Sequence, residues 1–423
     1  MSRPSPPSSA PPRILLSEGS SLSAREAITA LGLAGHRVEL MSSDPDCLGR
    51  FSRFVSRVHP TPSCGEDPDG YLAAVLEVVA RRRIDVLIPT HEQAYLFAAA
   101  RARLPRGLRL ALADFAAFEQ VQSKTALAGL LARLDVPQPA TEIVHSADAV
   151  LAPRPLPFFV KAAFGTASGG VWRVGDAADQ RSVAHHLEQL DLYGEGVVLQ
   201  AAAEGPLERT QAIFDRGRLV AFHIYRQIAA GPGGGDVLKM SGRRPEARAH
   251  VQRIGAALAW HGALSFDYIA EAGTGRPLFF DANPRLVEPM NARLSGVDLA
   301  GALLRVSLGE GTPVEPEARE GVVTRLGLMA LVDAAARRGR RRDVLRELLR
   351  LAVGGGRYRR ATEELVPVAT DPWCLVPLAI VCARLAASPA RGADLARGAV
   401  EAYSLTPAAI TRLRAWQVPG RCR

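Results

Sequence analysis

Lysine is almost missing from this chain. Of 423 residues, 52 are basic, yet three are lysine (Lys124, Lys161 and Lys239) and the other 49 are arginine. An arginine bias this strong reads as nucleotide composition, and it makes each remaining lysine a place where a compact ammonium is called for. All three fall between residues 121 and 240. Cysteine is sparse too. Cys47, Cys64, Cys374, Cys382 and Cys422 lie far apart, with no Cys-x-x-Cys pair and no histidine at zinc-finger spacing, which argues against a disulfide framework and a structural zinc. The Ser/Pro-rich stretch from Met1 to Pro12 has no apolar run, so neither a signal peptide nor a transit helix is expected and a cytoplasmic location follows. Aromatics reach only 6% and interleave poorly with the arginine clusters, which argues against nucleic acid as a partner.

What is present is the material of a folded chain. Hydrophobic residues make up 48%, enough for cores, and at roughly 150 residues per domain the length predicts two to four domains. Arg13 to Ser17 is a short apolar run followed by a Gly-containing loop; Ser23 to Ala34 has helical spacing, and His36 to Met41 is apolar again. Tyr71 to Arg83 and Ile84 to Pro89 repeat the pattern, with Leu108 to Ala113 as a further strand. Alternation at this spacing implies α/β structure with a parallel sheet. Past residue 120 the texture becomes α+β. Ser123 to Leu134 reads as an amphipathic helix, and Val197 to Gln200, Thr210 to Phe214 and Leu219 to Tyr225 as strands in antiparallel pairs.

The segment from Gly262 to Arg285 carries the strongest chemical signal. Two strand-like runs flank the turn Gly273-Thr274-Gly275, a hairpin pattern. A turn centred near Thr274 sets Asp267 directly across from Asp281, and strand alternation puts Asn283 on the same face. Facing carboxylates repel unless a cation accompanies them. Two carboxylates and an amide suit Mg²⁺, which commonly completes its shell with substrate phosphates. A solvated hairpin face with scattered acids fits the same spacing.

The second signal is Phe158-Phe-Val-Lys161-Ala-Ala-Phe-Gly165-Thr-Ala-Ser168-Gly169-Gly170. An apolar strand ends in lysine, and the glycines after it let backbone N–H groups approach a phosphate. No Gly-Lys-Ser/Thr opens a helix there, so it is not a P-loop, and taken alone it also fits a structural turn.

Together these elements resemble the ATP-grasp enzymes, in the branch similar to the ATP-binding domains of carbamoyl-phosphate synthetase and small carboxylate–amine ligases. Lys124, Lys161 with its Gly-rich loop, Val197-Val-Leu-Gln200 with Glu204-Gly205 and Glu208, and Asp281-Ala-Asn283-Pro-Arg285 occur in that family's order. The resemblance covers about residues 13 to 310. It implies a flexible tail over 1–12, a Rossmann-like domain over 13–120 with Ile88-Pro89-Thr90, an ATP-grasp domain over 121–310 and a basic, mostly helical region over 311–423.

Carried over by motif, Lys124 and Lys161 contact nucleotide phosphates while Gly165 to Gly170, Ser168 included, form a flap over them. Gln200 to Ala202 hold the adenine edge, Glu208 the ribose, and Asp267, Asp281 and Asn283 the Mg²⁺ ions, with Mn²⁺ an admissible substitute. Arg285 resembles the arginine that meets the transferred phosphate. Two positions depart from the family, which usually has Glu where Asp281 stands and often an acid where Ala201 stands. On the substrate side, Lys239 is placed to neutralise a carboxylate or phosphate; it equally fits a surface lysine. His91 and His261 read as packing or loop contacts.

The implied activity is an ATP-dependent, ADP-forming carboxylate–amine ligase working through an acyl phosphate on small-molecule substrates. The alternative is a nucleotide sensor or scaffold that retains the fold. Residues 311 to 423 hold 19 arginines against 11 acids, so +8 of the net +9 lies there. Within it, residues 337–360 offer a weak contact surface for an anionic membrane or an acidic partner; a solvated helical appendage fits the same composition.

Overall fold

A computed structural model describes residues 11–165, 169–311, 313–391 and 403–417. Ser168 and the rest of 166–168 lie outside the described residues, as does Cys422.

The amino-terminal part is a parallel sheet of four strands, in the order Val55–Pro60, Val38–Ser42, Ile14–Leu16 and Val86–Ile88. Its helices start where capping chemistry allows. The Ser21 hydroxyl accepts the Ala24 N–H ahead of Leu22–Leu33, and the Asp67 carboxylate accepts the Gly70 N–H ahead of Pro68–Arg82, with Pro68 in the first turn, where no N–H partner is needed. The strand Val55–Pro60 escapes a sequence reading because it is an edge strand whose middle is polar and exposed. Leu108–Ala113 differs from expectation: it bridges Val86 at Arg109 but forms no named strand. Instead, the Ala111 N–H donates to the Ser307 hydroxyl, and the Ala111 carbonyl lies so close to Gly262 that a Cβ there would come within 2.4 Å of its oxygen.

A second sheet is antiparallel, in the order Thr141–Val144, Val197–Ala201, Phe158–Ala162 and Val171–Val174, packed through Val160, Leu199 and Val174 onto the helix Ala177–Gln189. The third sheet has seven strands: Pro277–Asn283, Gly262–Ala270, Leu207–Asp215, Arg218–Ala230, Asp236–Ser241, Val323–Arg325 and Thr362–Glu363. The last two come from the carboxy-terminal region, so that region continues the central sheet besides supplying helices. One apolar cluster runs from the amino-terminal helices into the third sheet, with the Phe118 and Trp260 ring centroids 5.6 Å apart. Burial of this surface, at about 25 cal/mol per Å² of apolar area, fixes how the sheets face one another.

Beyond residue 326 the helices Gly327–Arg338, Arg341–Val353 and Leu375–Ala387 pack together. Pro377 sits in the first turn of the last one, where backbone N–H groups lack helical partners anyway. Along Arg341–Val353, Leu345, Leu349 and Val353 are exposed at a four-residue spacing, beside exposed Arg342, Arg346 and Arg350 at the same spacing. Among the described residues no helix is long and apolar enough to cross a membrane.

Candidate active site

The hairpin forms with the expected register at its functional end. Asp267 pairs with Asp281 and Ser265 with Asn283, so both carboxylates and the amide share one face. Toward the turn a bulge intervenes, and Tyr268 pairs with Phe279. The extra residue is Phe280. Its carbonyl accepts from Lys161 Nζ at 3.1 Å, and its ring lies 4.6 Å from the same nitrogen. A bulge re-aims the residues beside it, and here it gives Lys161 both an acceptor and an aromatic face.

Lys161 is buried at the end of its strand and also donates to Gln200 Oε1 at 2.7 Å. Burial lowers its pKa to about 8, with Lys124 acting in the same direction and Asp281 and Asp267 opposing. Lys124 opens the helix Lys124–Arg133, capped by Ser123, and its ammonium lies 3.6 Å from Asp281 Oδ1. Arg285 donates from Nη2 to Asn283 Oδ1 at 3.1 Å. At Gly165 an added Cβ would sit 1.9 Å from the Gly169 carbonyl oxygen, and Gly170 has φ +76°, so both positions require glycine.

These groups meet in a cleft of about 350 Å³ between the second and third sheets. Lys124, Lys161, Gly165, Gly169, Gln200, Asp267, Asp281, Asn283 and Arg285 all line it. Ala202 is exposed, flanked by the lining residues Ala201 and Ala203. Gly170 follows Gly169 at the loop's end, where its carbonyl accepts the Ala162 N–H. The oxygen donors Asp281 and Asn283 match the ligand preference of Mg²⁺, and the two ammonium groups match phosphate oxygens.

Two expected residues are elsewhere. Glu208 is buried on the opposite face of its strand from the cleft, where its carboxylate accepts from Arg226, Arg244 and the Tyr268 hydroxyl. Burial alone would raise its pKa, but these donors hold it below the ordinary value. The lining positions on that strand are its neighbours, Leu207 and Arg209. Lys239 is not among the lining residues either. It is fully buried and bonded to Glu288 and, at 2.9 Å, to Glu364, with Glu26 at 4.0 Å. The carboxylates it neutralises belong to the chain itself, and it is not a surface lysine. Arg226 pairs with Glu208 and Arg293 with Asp298. His261 lies 3.6 Å from Asp215.

The site also contains Arg209 and Glu92, which sequence reading passed over, and His91, which it read as a packing or loop contact. Arg209 projects into the cleft between Asp267 and Asp236. His91 and Glu92 line the cleft. His91 packs against Tyr403 with ring centroids 3.8 Å apart and planes tilted by 33°, and Glu92 Oε2 accepts the Leu405 N–H at 2.7 Å. Burial, with Arg285 nearby, pushes His91 well below the usual imidazole range, which favours its neutral form. The segment bearing Tyr403 continues into the helix Pro407–Ala415, whose Arg414 bonds both Glu119 and Glu195 and lies over the Phe164 ring beside the Gly-rich loop. Residues some 300 positions apart therefore meet here, a proximity that no local sequence signal records.

The arrangement of sheets and cleft is the ATP-grasp fold. Among solved structures, the chain is similar to the L-amino acid ligase of Bacillus licheniformis, at 17% identity and TM-score 0.54 over 70% of this chain and 74% of that one. It is also similar to the biotin carboxylase domain of Hydrogenobacter thermophilus 2-oxoglutarate carboxylase in complex with MgADP, ADP and bicarbonate, at 15% and 0.59 over 74% and 73%. A third is the N5-carboxyaminoimidazole ribonucleotide synthetase of Thermus thermophilus, at 18% and 0.56 over 80% and 98%. No protein-family model matches the chain. No curated protein matches it.

Proposed function

We propose that the chain is an ADP-forming carboxylate–amine ligase. The observation that carries this reading is the convergence of Lys124, Lys161 and Arg285 with Asp281 and Asn283 on one cleft, beside a glycine loop. Similarity to an L-amino acid ligase and to a carboxylase domain solved with MgADP supports it.

In this scheme Lys124 and Lys161 hold phosphate oxygens, and the backbone from Gln200 to Ala202 meets the adenine edge. Asp281 and Asn283 hold Mg²⁺, which would neutralise charge on the transferred phosphoryl group. A substrate carboxylate oxygen attacks the terminal phosphorus and ADP leaves; an amine then displaces phosphate from the acyl phosphate to give the amide. Arg285 is positioned beside Asn283 to meet the phosphoryl group in both steps. No nucleophilic side chain is needed.

The test is ADP release from Mg-ATP across mixed pools of carboxylates and amines, with hydroxylamine to trap acyl phosphate, in wild type and Asp281→Ala. Pool-dependent ADP and a hydroxamate, both lost in the variant, are expected. Nucleotide binding without turnover on any pool would favour the sensor or scaffold reading. Independently, the paired apolar and arginine rows on Arg341–Val353 support a weak contact with an anionic surface. Co-sedimentation with phosphatidylserine vesicles but not phosphatidylcholine vesicles, weakened by salt, checks it.

A further inference from the structure

Three neighbouring strands place a row of charges along the cleft. Arg209 pairs in register with Asp267, and Asp267 with Asp281. Lys124 lies 3.6 Å beyond Asp281. The row therefore reads cation, carboxylate, carboxylate, cation, and each acid already has its own basic partner on its outer side. This relieves the repulsion between facing carboxylates without requiring each to ligate a metal.

Arg209 is held firmly. Its Nε donates to Asp267 Oδ2 at 3.1 Å, Nη1 to Asp236 Oδ1 at 2.6 Å and Nη2 to the Gly234 carbonyl at 3.4 Å. Asp236 is itself fixed by the Tyr225 hydroxyl at 3.0 Å and by Gln227 at 2.7 Å. A guanidinium has five N–H donors, so these three bonds leave two for a ligand in the cleft that Arg209 lines. With Oδ2 held by Arg209 Nε, Asp267 has only Oδ1 to offer a metal, and a divalent cation there would sit beside the guanidinium, which is electrostatically unfavourable.

Building on the ligase reading, we propose that Arg209 contacts the terminal phosphate of the nucleoside triphosphate. In this proposal Asp267 and Asp236 are positioning residues for that guanidinium, and the cleft takes a single divalent cation on Asp281 and Asn283. The fixed charge of Arg209 supplies what a second metal on Asp267 would otherwise give the transferred phosphate. A contact confined to the last phosphate of the triphosphate would make Arg209 discriminate ATP from ADP.

The experiment counts Mn²⁺ bound per chain by the loss of free-ion electron paramagnetic resonance signal, with ADP or a non-hydrolysable ATP analogue present. Wild type, Asp267→Asn, Asp281→Asn, Arg209→Lys and Arg209→Met are compared. The proposal expects one Mn²⁺ in wild type and in Asp267→Asn, and none in Asp281→Asn. It expects Arg209→Met to weaken the ATP analogue by about 10- to 100-fold, as for a lost hydrogen-bonded charge, with ADP nearly unaffected and Arg209→Lys intermediate. The lysine variant keeps a cation beside the two carboxylates, so it serves if the methionine variant does not fold. Two Mn²⁺ in wild type with one lost in Asp267→Asn would overturn the assignment and leave the ligase reading intact. Equal weakening of ADP and the ATP analogue in the Arg209 variants would also overturn it. A wild type that binds no nucleotide-dependent Mn²⁺ would bring down both.

Discussion

Lys161 and Lys239 are both buried near carboxylates, and their surroundings set them apart. Lys161 lines a cleft, and its hydrogen bonds go to the neutral acceptors Gln200 and the Phe280 carbonyl. Its depressed pKa of about 8 comes first from burial. Lys239 is sealed. Glu26, Glu288 and Glu364 crowd it, and they override the burial that would otherwise lower its pKa, so it is pushed well up. Glu26 moves upward as well, through burial and then the charge of Glu364, so the proton it tends to hold trims the excess of negative charge. These carboxylates come from the first helix, from the loop after Arg285 and from the carboxy-terminal region, so Lys239 ties three distant segments together. Scarcity of lysine marks both positions in the sequence, and a place on the cleft separates a group free to bind from one spent on the fold.

The contrast is broken most severely at the sealed lysine. Lys239→Met leaves Glu364 and Glu288 without their cation in a buried setting, and a loss of about 3–5 kcal/mol in unfolding free energy is expected, measured by denaturant titration. Glu26→Gln, which mimics a protonated acid, should cost far less. A smaller effect sharpens the other side. The ammonium of Lys161 has its folded pKa below the ordinary value, so it is charged below about pH 8 and increasingly neutral above. ADP affinity should then fall as pH rises through 8, by up to about tenfold per unit. Lys161→Arg, charged throughout, should flatten that profile.

Much of the cleft was legible because its determinants are local. The glycine turn fixed the register of Asp267 against Asp281, and an apolar strand followed by a glycine loop located Lys161. Errors arose where the deciding contact was remote. Glu208 and Arg209 are adjacent, so they point to opposite faces, and which one meets the cleft depends on the pairing of their strand with Gly262–Ala270. Register continued from Asp267 to that third strand would have found Arg209. Phe280 depended on a bulge, and Tyr403 on a return of the chain to His91 across more than 300 residues. Lys239 could not be placed from sequence, since its partners stand at positions 26, 288 and 364.

The most direct test is calorimetric titration of Mg-ADP into Lys161→Met and Lys239→Met, each below its own melting temperature. The account predicts a crossed result. Lys161→Met keeps wild-type stability and loses about 10- to 100-fold in affinity, whereas Lys239→Met melts earlier and binds Mg-ADP as wild type does. Wild-type affinity in Lys161→Met, or lost affinity in folded Lys239→Met, would contradict it.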